Sequence, residues 1–457
     1  MADDRLNLLE DLLRRDGPLT AAALAAALGI SQPTVSRLLA SAGERIVRIG
    51  KARSSRYALA HDIGRAGSRW PLYRIDSQGL SEALGELSAL HGGSFHFAPA
   101  RPTPALLHGD FAAGVFPELP WFLDDQRPQG FLGRTFVRRV ATDIGAPDDL
   151  TRWQADDVVL ALLRYGEDEP GDLVLGEHAL QHALQAALSP EALSANQRET
   201  RYPALADAAL AGEDIGSSAG GEQPKFTALL RIDAGIHAVI VKFSERAGTP
   251  AAQRWADLLR CEHIAGQTLR AHGIAAAETT VLEADGRVFL QSLRFDRTPV
   301  LGRRGLVSLA ALDAAHYGHG RIDWWKFAPQ LRRDGWLDAD DARTLAVRGW
   351  FGALIGNNDM HLGNASLVLA DTRPLALAPN YDMLPMALRP ASTGEMVARE
   401  IPVAVPLPEQ REDWQAAVDM ARGFWRQVAD EAAISSGFHA IAETQLAKLD
   451  TAHARFA

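Results

Sequence analysis

The sequence predicts an α+β protein: a small helical head closed by a β-hairpin, then a two-lobed body, mixed α/β first and mostly helical second. Three observations predict this. Leucines and alanines recur at helical spacing through residues 5–40, and two short β-prone runs follow. Three apolar β-prone runs, FTALLRI, HAVIVKF and RVFLQSLRF, cluster around one long helical pattern between residues 225 and 295. Beyond residue 300 helical periodicity dominates, broken near 356–386 by a turn-rich stretch that reads as a hairpin. At 457 residues the chain needs two or three cores. The expected division is 1–60 for the head, 61–300 for the first lobe with an N-terminal subdomain, and 301–457 for the second lobe.

Composition narrows the class. Apolar residues make up 47% and charged residues 23%, ordinary for a globular chain. The single cysteine, Cys261, excludes an intramolecular disulfide framework and a cysteine-based zinc site. The N-terminus, MADDRLNLLEDLLRRDG, is acidic and amphipathic, unlike a secretory leader. No window approaches the ~20 apolar residues of a membrane span, so a cytoplasmic protein is expected. The net charge is −10, yet residues 31–60 set six cations against Glu44, a local +5 that leaves −15 on the other 427 residues. That asymmetry marks the head as a candidate partner for a polyanion.

In the head, Leu6, Leu8, Leu9, Leu12 and Leu13 give a first helix over 5–15, stopped by Gly17-Pro18. Thr20 caps AAALAAAL, which ends at Gly29, where a left-handed turn is needed. Ser31 caps a third helix with Pro33 in its first turn. A short helix, a tight turn and a second helix are the parts of a helix-turn-helix. Ile30, Val35 and Leu38 are spaced to pack inward, leaving Gln32, Thr34, Ser36 and Arg37 to reach base edges or phosphates. The runs IVRIG and RYAL flank the turn KARSS, so Arg48, Lys51, Arg53 and Arg56 sit like a wing that grips phosphate. The partner expected is double-stranded DNA. One such module binds weakly, which favours a homodimer.

Residues 61–205 are the least legible, with Pro- and Gly-rich pieces between short helical patterns such as 154–165. From 206 onward the residues suit phosphoryl transfer, which needs phosphates held, metal to neutralise charge and an acceptor hydroxyl aimed in line. The small residues Ser218, Ala219, Gly220 and Gly221, with Lys225 beyond them, let backbone N–H groups approach phosphate. Lys242 ends a β-prone run where it can point inward to phosphates. Glu262 follows twenty residues later in the helix capped by Thr249, placed to pair with it. In Gly356-Asn357-Asn358-Asp359-Met360-His361-Leu362-Gly363-Asn364, Asp359 would accept the acceptor's proton and Asn364 would offer an oxygen to Mg2+. Asp382 lies past two β-prone runs whose hairpin would return the chain to the same metal. His361 has no second histidine or cysteine at ligand spacing and reads as structural.

At these residues the chain resembles the HipA family of serine/threonine kinases, toxins of bacterial toxin–antitoxin systems. The matching segments are SSAGGEQPKFTALL, VIVKF, LRFDR, IGNNDMHLGNASL and PNYDMLP, over roughly 215–386. The added N-terminal helix-turn-helix resembles the YjjJ-like branch, in which one polypeptide carries both modules; elsewhere in the family a separate antitoxin binds DNA. The resemblance implies a protein-kinase-like two-lobed fold and ATP with Mg2+ as cofactors. Lys242 would hold ATP phosphates, Asp359 would be catalytic, and Asn364 with Asp382 would bind metal. Phe295 would lie at the adenine hinge, and Ser218, or its neighbour Ser217, would be the autophosphorylated loop serine. A phosphoserine there adds about −1.5 to −2 charges, incompatible with cradling ATP. Known family targets are aminoacyl-tRNA synthetases. Two departures stand out: Pro224 where many relatives carry an acid, and Leu293 where glutamate is frequent before RFDR.

Two other readings share these motifs. One is a DNA-binding regulator whose kinase fold senses nucleotide without catalysis. The other is a kinase of small molecules on the same fold.

Overall fold

The computed structural model describes residues 2–51, 54–212, 223–391 and 393–456. The head comprises α1 (Ala2–Asp16), β1 (Leu19–Thr20), α2 (Ala21–Leu28), α3 (Gln32–Ala42), β2 (Ile46–Ile49) and β3 (Arg56–Leu59). Its caps are those expected: the Thr20 side chain accepts from Ala23 N–H, Ser31 accepts from Thr34 N–H, and Gly29 is left-handed at φ +63°. Leu9, Leu13, Leu24, Val35 and Leu39 close a small core, and β1-β3-β2 form the sheet whose β2–β3 hairpin is the wing.

A second sheet, which the sequence did not announce, follows. It runs β7 (Val115–Phe116), β6 (Phe95–Pro99), β5 (Ser81–Ala89), β4 (Arg69–Ile75) and β8 (Leu173–Leu175), all antiparallel. Helices α4 (Gly130–Ile144), α5 (Ala155–Tyr165) and α6 (Glu177–Leu188) belong with it. Its core, including Leu72, Leu87 and Phe97, is continuous with that of the helical lobe. The subdomain thus packs against the helical lobe.

The third sheet has the order β12-β13-β11-β10-β9. Its members are β9 (Ala192–Leu193), β10 (Lys225–Ile232), β11 (Gly235–Phe243), β12 (Thr279–Ala284) and β13 (Arg287–Leu293). One face, with Phe226, Val239, Val241 and Phe289, packs on Tyr202 of α7 (Arg198–Ala211). The other face receives α8 (Pro250–Ala271), whose Ala256 and Leu259 meet Val288 and Leu290. Opposite α8 residues, Leu258, Cys261 and Ala265, enter the core of the helical lobe. Helix α8 thus ties the two lobes together.

The last lobe contains β14 (Val307–Ser308), α9 (Leu309–His316), α10 (Trp324–Arg333), α11 (Ala339–Ile355), β15 (Ser366–Val368), β16 (Ala376–Leu377), α12 (Arg411–Asp430) and α13 (Ser436–Phe456). The expected hairpin between the two motif stretches is β15–β16, with Leu367 opposite Leu377. Fold class is as the sequence predicts: α+β, two lobes, with a winged helix-turn-helix in front. Among the described residues no helix is long and apolar enough to cross a membrane.

The head is not on a free tether. Val47, Ile49 and Ala58 of the wing sheet pack on Leu90 of the body. Arg69 donates to the carbonyls of Glu44 (3.0 Å) and Ile46 (2.8 Å), and His61 Nε2 lies 2.8 Å from Asp156.

Candidate functional site

Antiparallel pairing sets the first half of the site. Lys225 and Lys242 are register partners on β10 and β11, so their side chains share a face of the sheet, and both are buried. Helix α8 lies on that face and delivers Glu262, whose two oxygens accept from Lys242 Nζ at 2.6 and 2.8 Å. Lys242 also donates to Asp382, which arrives from the far lobe. Three residues separated by up to 140 positions therefore meet at one ammonium group.

Charge states follow from the surroundings. Burial opposes the Lys242 ammonium, but Asp382 and Glu262 outweigh it and raise its pKa above the usual lysine range. Burial likewise opposes the Asp382 carboxylate, yet Lys242 and Lys225 hold its pKa below the usual range. Glu262 moves the other way: burial, with Asp382 nearby, raises its pKa despite the bonds from Lys242.

The turn after α11 supplies the second half. Gly356 ends the helix in the left-handed region (φ +81°), releasing Asn357 into the loop. The Asn357 Oδ1 accepts from Asp359 N–H at 3.0 Å, and its Nδ2 donates to the Asp382 carbonyl at 3.2 Å. Asn364 Nδ2 donates to the Asp359 carbonyl at 2.8 Å. That bond commits the amide nitrogen of Asn364 and leaves its oxygen as the atom suited to a metal. Asp359 is half-buried and Asn364 buried. His361 caps the next turn by accepting from Gly363 N–H at 3.1 Å, the structural role expected of it. The Tyr381 hydroxyl donates to the Gly363 carbonyl (2.9 Å) and pairs with Ser366 (2.6 Å), bracing the same loop.

Lys242, Glu262, Asp382, Asp359 and Asn364 are thus joined by an unbroken series of contacts, with Lys225 on the same face. Phe295 stands against Tyr381, ring centroids 5.7 Å apart, next to Asp382. It lies beyond the end of β13 rather than in the strand, where Arg294 and Arg297 pair with the buried Asp296. The loop residues Ser217, Ser218, Ala219, Gly220 and Gly221 lie outside the described residues. The Asp382 carboxylate and the Asn364 amide oxygen are hard donors of the kind Mg2+ takes, since that ion is usually tied to protein by one or two such oxygens and completes its shell with water and phosphate. Sequence reasoning passed over Asn357 and Tyr381. Asn357 stood in the motif but drew no role, because its second partner lies 25 residues away.

In the head, Gln32, Ser36, Arg37, Arg48, Lys51 and Arg56 are exposed; Arg53 lies outside the described residues. Thr34 departs from expectation. It is half-buried and its hydroxyl pairs with Ser31 at 2.9 Å, so the N-cap rather than solvent claims it. Arg48 spans the hairpin to Ser55 at 3.0 Å.

Comparison with known proteins covers most of the chain. Residues 6–41 match the IclR helix-turn-helix domain, 66–184 the middle domain of YjjJ-like toxins, and 217–452 the HipA-like C-terminal domain. A curated relative, Toxin YjjJ of Escherichia coli (strain K12), is 38% identical over 442 residues, covering 96% of this chain and 97% of that protein. Solved structures that resemble it include HipA from the Shewanella oneidensis MR-1 complex of HipA, HipB and operator DNA. That match has 14% identity and TM-score 0.48, over 83% of this chain and 97% of the other. Another is the Helicobacter pylori proinflammatory kinase CtkA, at 13% identity and TM-score 0.37, over 52% of this chain and 93% of that one.

Proposed function

The chain belongs to the YjjJ-like, HipA-type toxin family, and from that membership we propose that it is an ATP- and Mg2+-dependent serine/threonine protein kinase whose head binds double-stranded DNA. The observation that carries this reading is the meeting of Lys242 with both Glu262 and Asp382, linked through Asn357 to Asp359.

Each side chain then has a task. Lys242, oriented by Glu262, neutralises and holds the nucleotide phosphates. Asp359 accepts the proton of the acceptor hydroxyl as that oxygen bonds to the γ-phosphorus and the bond to the ADP oxygen breaks. Asp382 and Asn364 would hold Mg2+, which when bound would screen the phosphate charge. Phe295, beside Tyr381, lines the adenine side. The acceptor is a protein serine or threonine, and the chain also phosphorylates itself at Ser218 or Ser217, removing the loop from the phosphates.

The head's exposed cations support the DNA reading, and its attachment to the body suits a protein that regulates its own expression. Transfer of label from γ-labelled ATP to protein tests the enzyme: wild type labels itself and a target in lysate, and Asp359→Asn labels neither. Equal labelling by the two proteins would overturn the assignment, and label on sugars alone would favour a small-molecule kinase.

A further inference from the structure

We propose that Asn357 is a positioning residue that latches the backbone of Asp382 to that of Asp359 and so sets the metal-binding pose of Asp382; this rests on the kinase reading above. Asp382 is one of four non-glycine residues with positive φ among the described residues, at φ +54°. A positive φ is unfavourable for a residue with a side chain, though aspartate tolerates it better than most, so the contacts that hold Asp382 there set where its carboxylate stands. There are two. Lys242 takes the carboxylate, and the Asn357 amide takes the carbonyl at 3.2 Å. Rotation of the Asp382 peptide out of this conformation would swing the carboxylate away from Lys242.

Asn357 is itself well anchored. Its backbone N–H bonds to the Gly352 carbonyl at 2.8 Å as α11 ends, and the residue is only 6% exposed. An ordinary Asx turn explains its bond to Asp359 N–H, two residues on. It does not explain the bond to a carbonyl 25 residues away, with Met383 Sδ 3.7 Å from the same nitrogen. The task needs an acceptor and a donor on one short planar group, and a side-chain amide has both. Aspartate keeps the acceptor and the volume but sets an oxygen against the Asp382 carbonyl. Alanine loses both bonds.

Calorimetric titration with a non-hydrolysable ATP analogue, with and without Mg2+, separates the metal-linked part of binding from the rest. Wild type is expected to bind more tightly with Mg2+. In Asn357→Asp the Mg2+-linked gain falls by about ten-fold, while metal-free affinity, which rests on Lys242 and Glu262, changes by less than about two-fold. In labelling assays kcat falls more than KM rises. Asn357→Ala shows the same split if its thermal midpoint stays near that of wild type, and Asn357→Asp carries the test if the alanine variant does not fold. A wild-type Mg2+-linked gain in Asn357→Asp overturns the proposal, as does an equal loss with and without metal. If wild type itself shows no Mg2+-linked gain, the kinase reading fails first and this inference falls with it.

Discussion

Lys225 and Lys242 stand opposite each other on neighbouring antiparallel strands, and their shared face meets two carboxylates, Glu262 from the helix behind and Asp382 from the other lobe. Two cations against two anions make a balanced buried cluster. Its members are held in place by elements that meet only in the folded chain.

Lys242→Met removes the cation that both carboxylates share. Breaking a buried pair by deleting one partner costs about 3–5 kcal/mol, and urea unfolding at pH 7 is expected to show a loss of this order. The pH dependence has a definite sign. The Asp382 pKa is depressed in the folded protein, so its contribution is present above the ordinary carboxylate range and lost as pH falls through the folded value. The gap between wild type and variant should therefore narrow on acidification.

Arg37→Ala combined with Lys51→Ala removes one exposed cation from the third helix and one from the wing. Binding to duplex DNA should weaken, and the slope of log affinity against log salt should fall by about 2, near 0.9 per lost phosphate contact. An unchanged slope would return the wing to the status of a solvated surface.

His96, buried within β6, has a ring nitrogen, Nδ1, without a hydrogen-bond partner among the described residues. Burial, aided by Arg69, lowers its pKa from 6.5 to about 4. Folding thus favours the neutral ring: its stability is fully present above pH 6.5 and is lost as pH falls towards 4. Thermal melts of wild type and His96→Gln across that window should show a shallower acid decline in the variant.

Leu90→Ala tests the seat of the head on the body. Truncating a buried leucine costs about 2–5 kcal/mol, and here the loss falls on the junction with Val47, Ile49 and Ala58. Limited proteolysis should then cut near residues 60–66, and calorimetry should resolve a separate, earlier transition for the head.

Much of this was legible in the sequence where local chemistry decides. Thr20, Ser31 and Gly29 announced the head because caps and left-handed turns use few residue types. Lys242, Glu262, Asp359, Asn364 and Asp382, which the fold joins in one series of contacts, could be picked out as candidates because few residue types suit phosphate and metal chemistry. The β4–β8 sheet could not. Its central strand, Ser81–Ala89, reads SEALGELSA, rich in helix-favouring Ala, Glu and Leu, and becomes a strand because β4 and β6 pair with it on both sides. Asn357 escaped for a related reason: half of its task depends on a peptide bond that spacing alone does not bring near.

The wing sheet that shares its buried face with Leu90 has a mechanical corollary. Whatever grips the third helix also orients the body, because the head is seated on Leu90 and Arg69 and does not hang on a free segment. On a duplex, each bound chain would present its Asp359 at a bearing dictated by groove phase. Two chains on sites half a helical turn apart would turn their Asp359 residues in opposite directions.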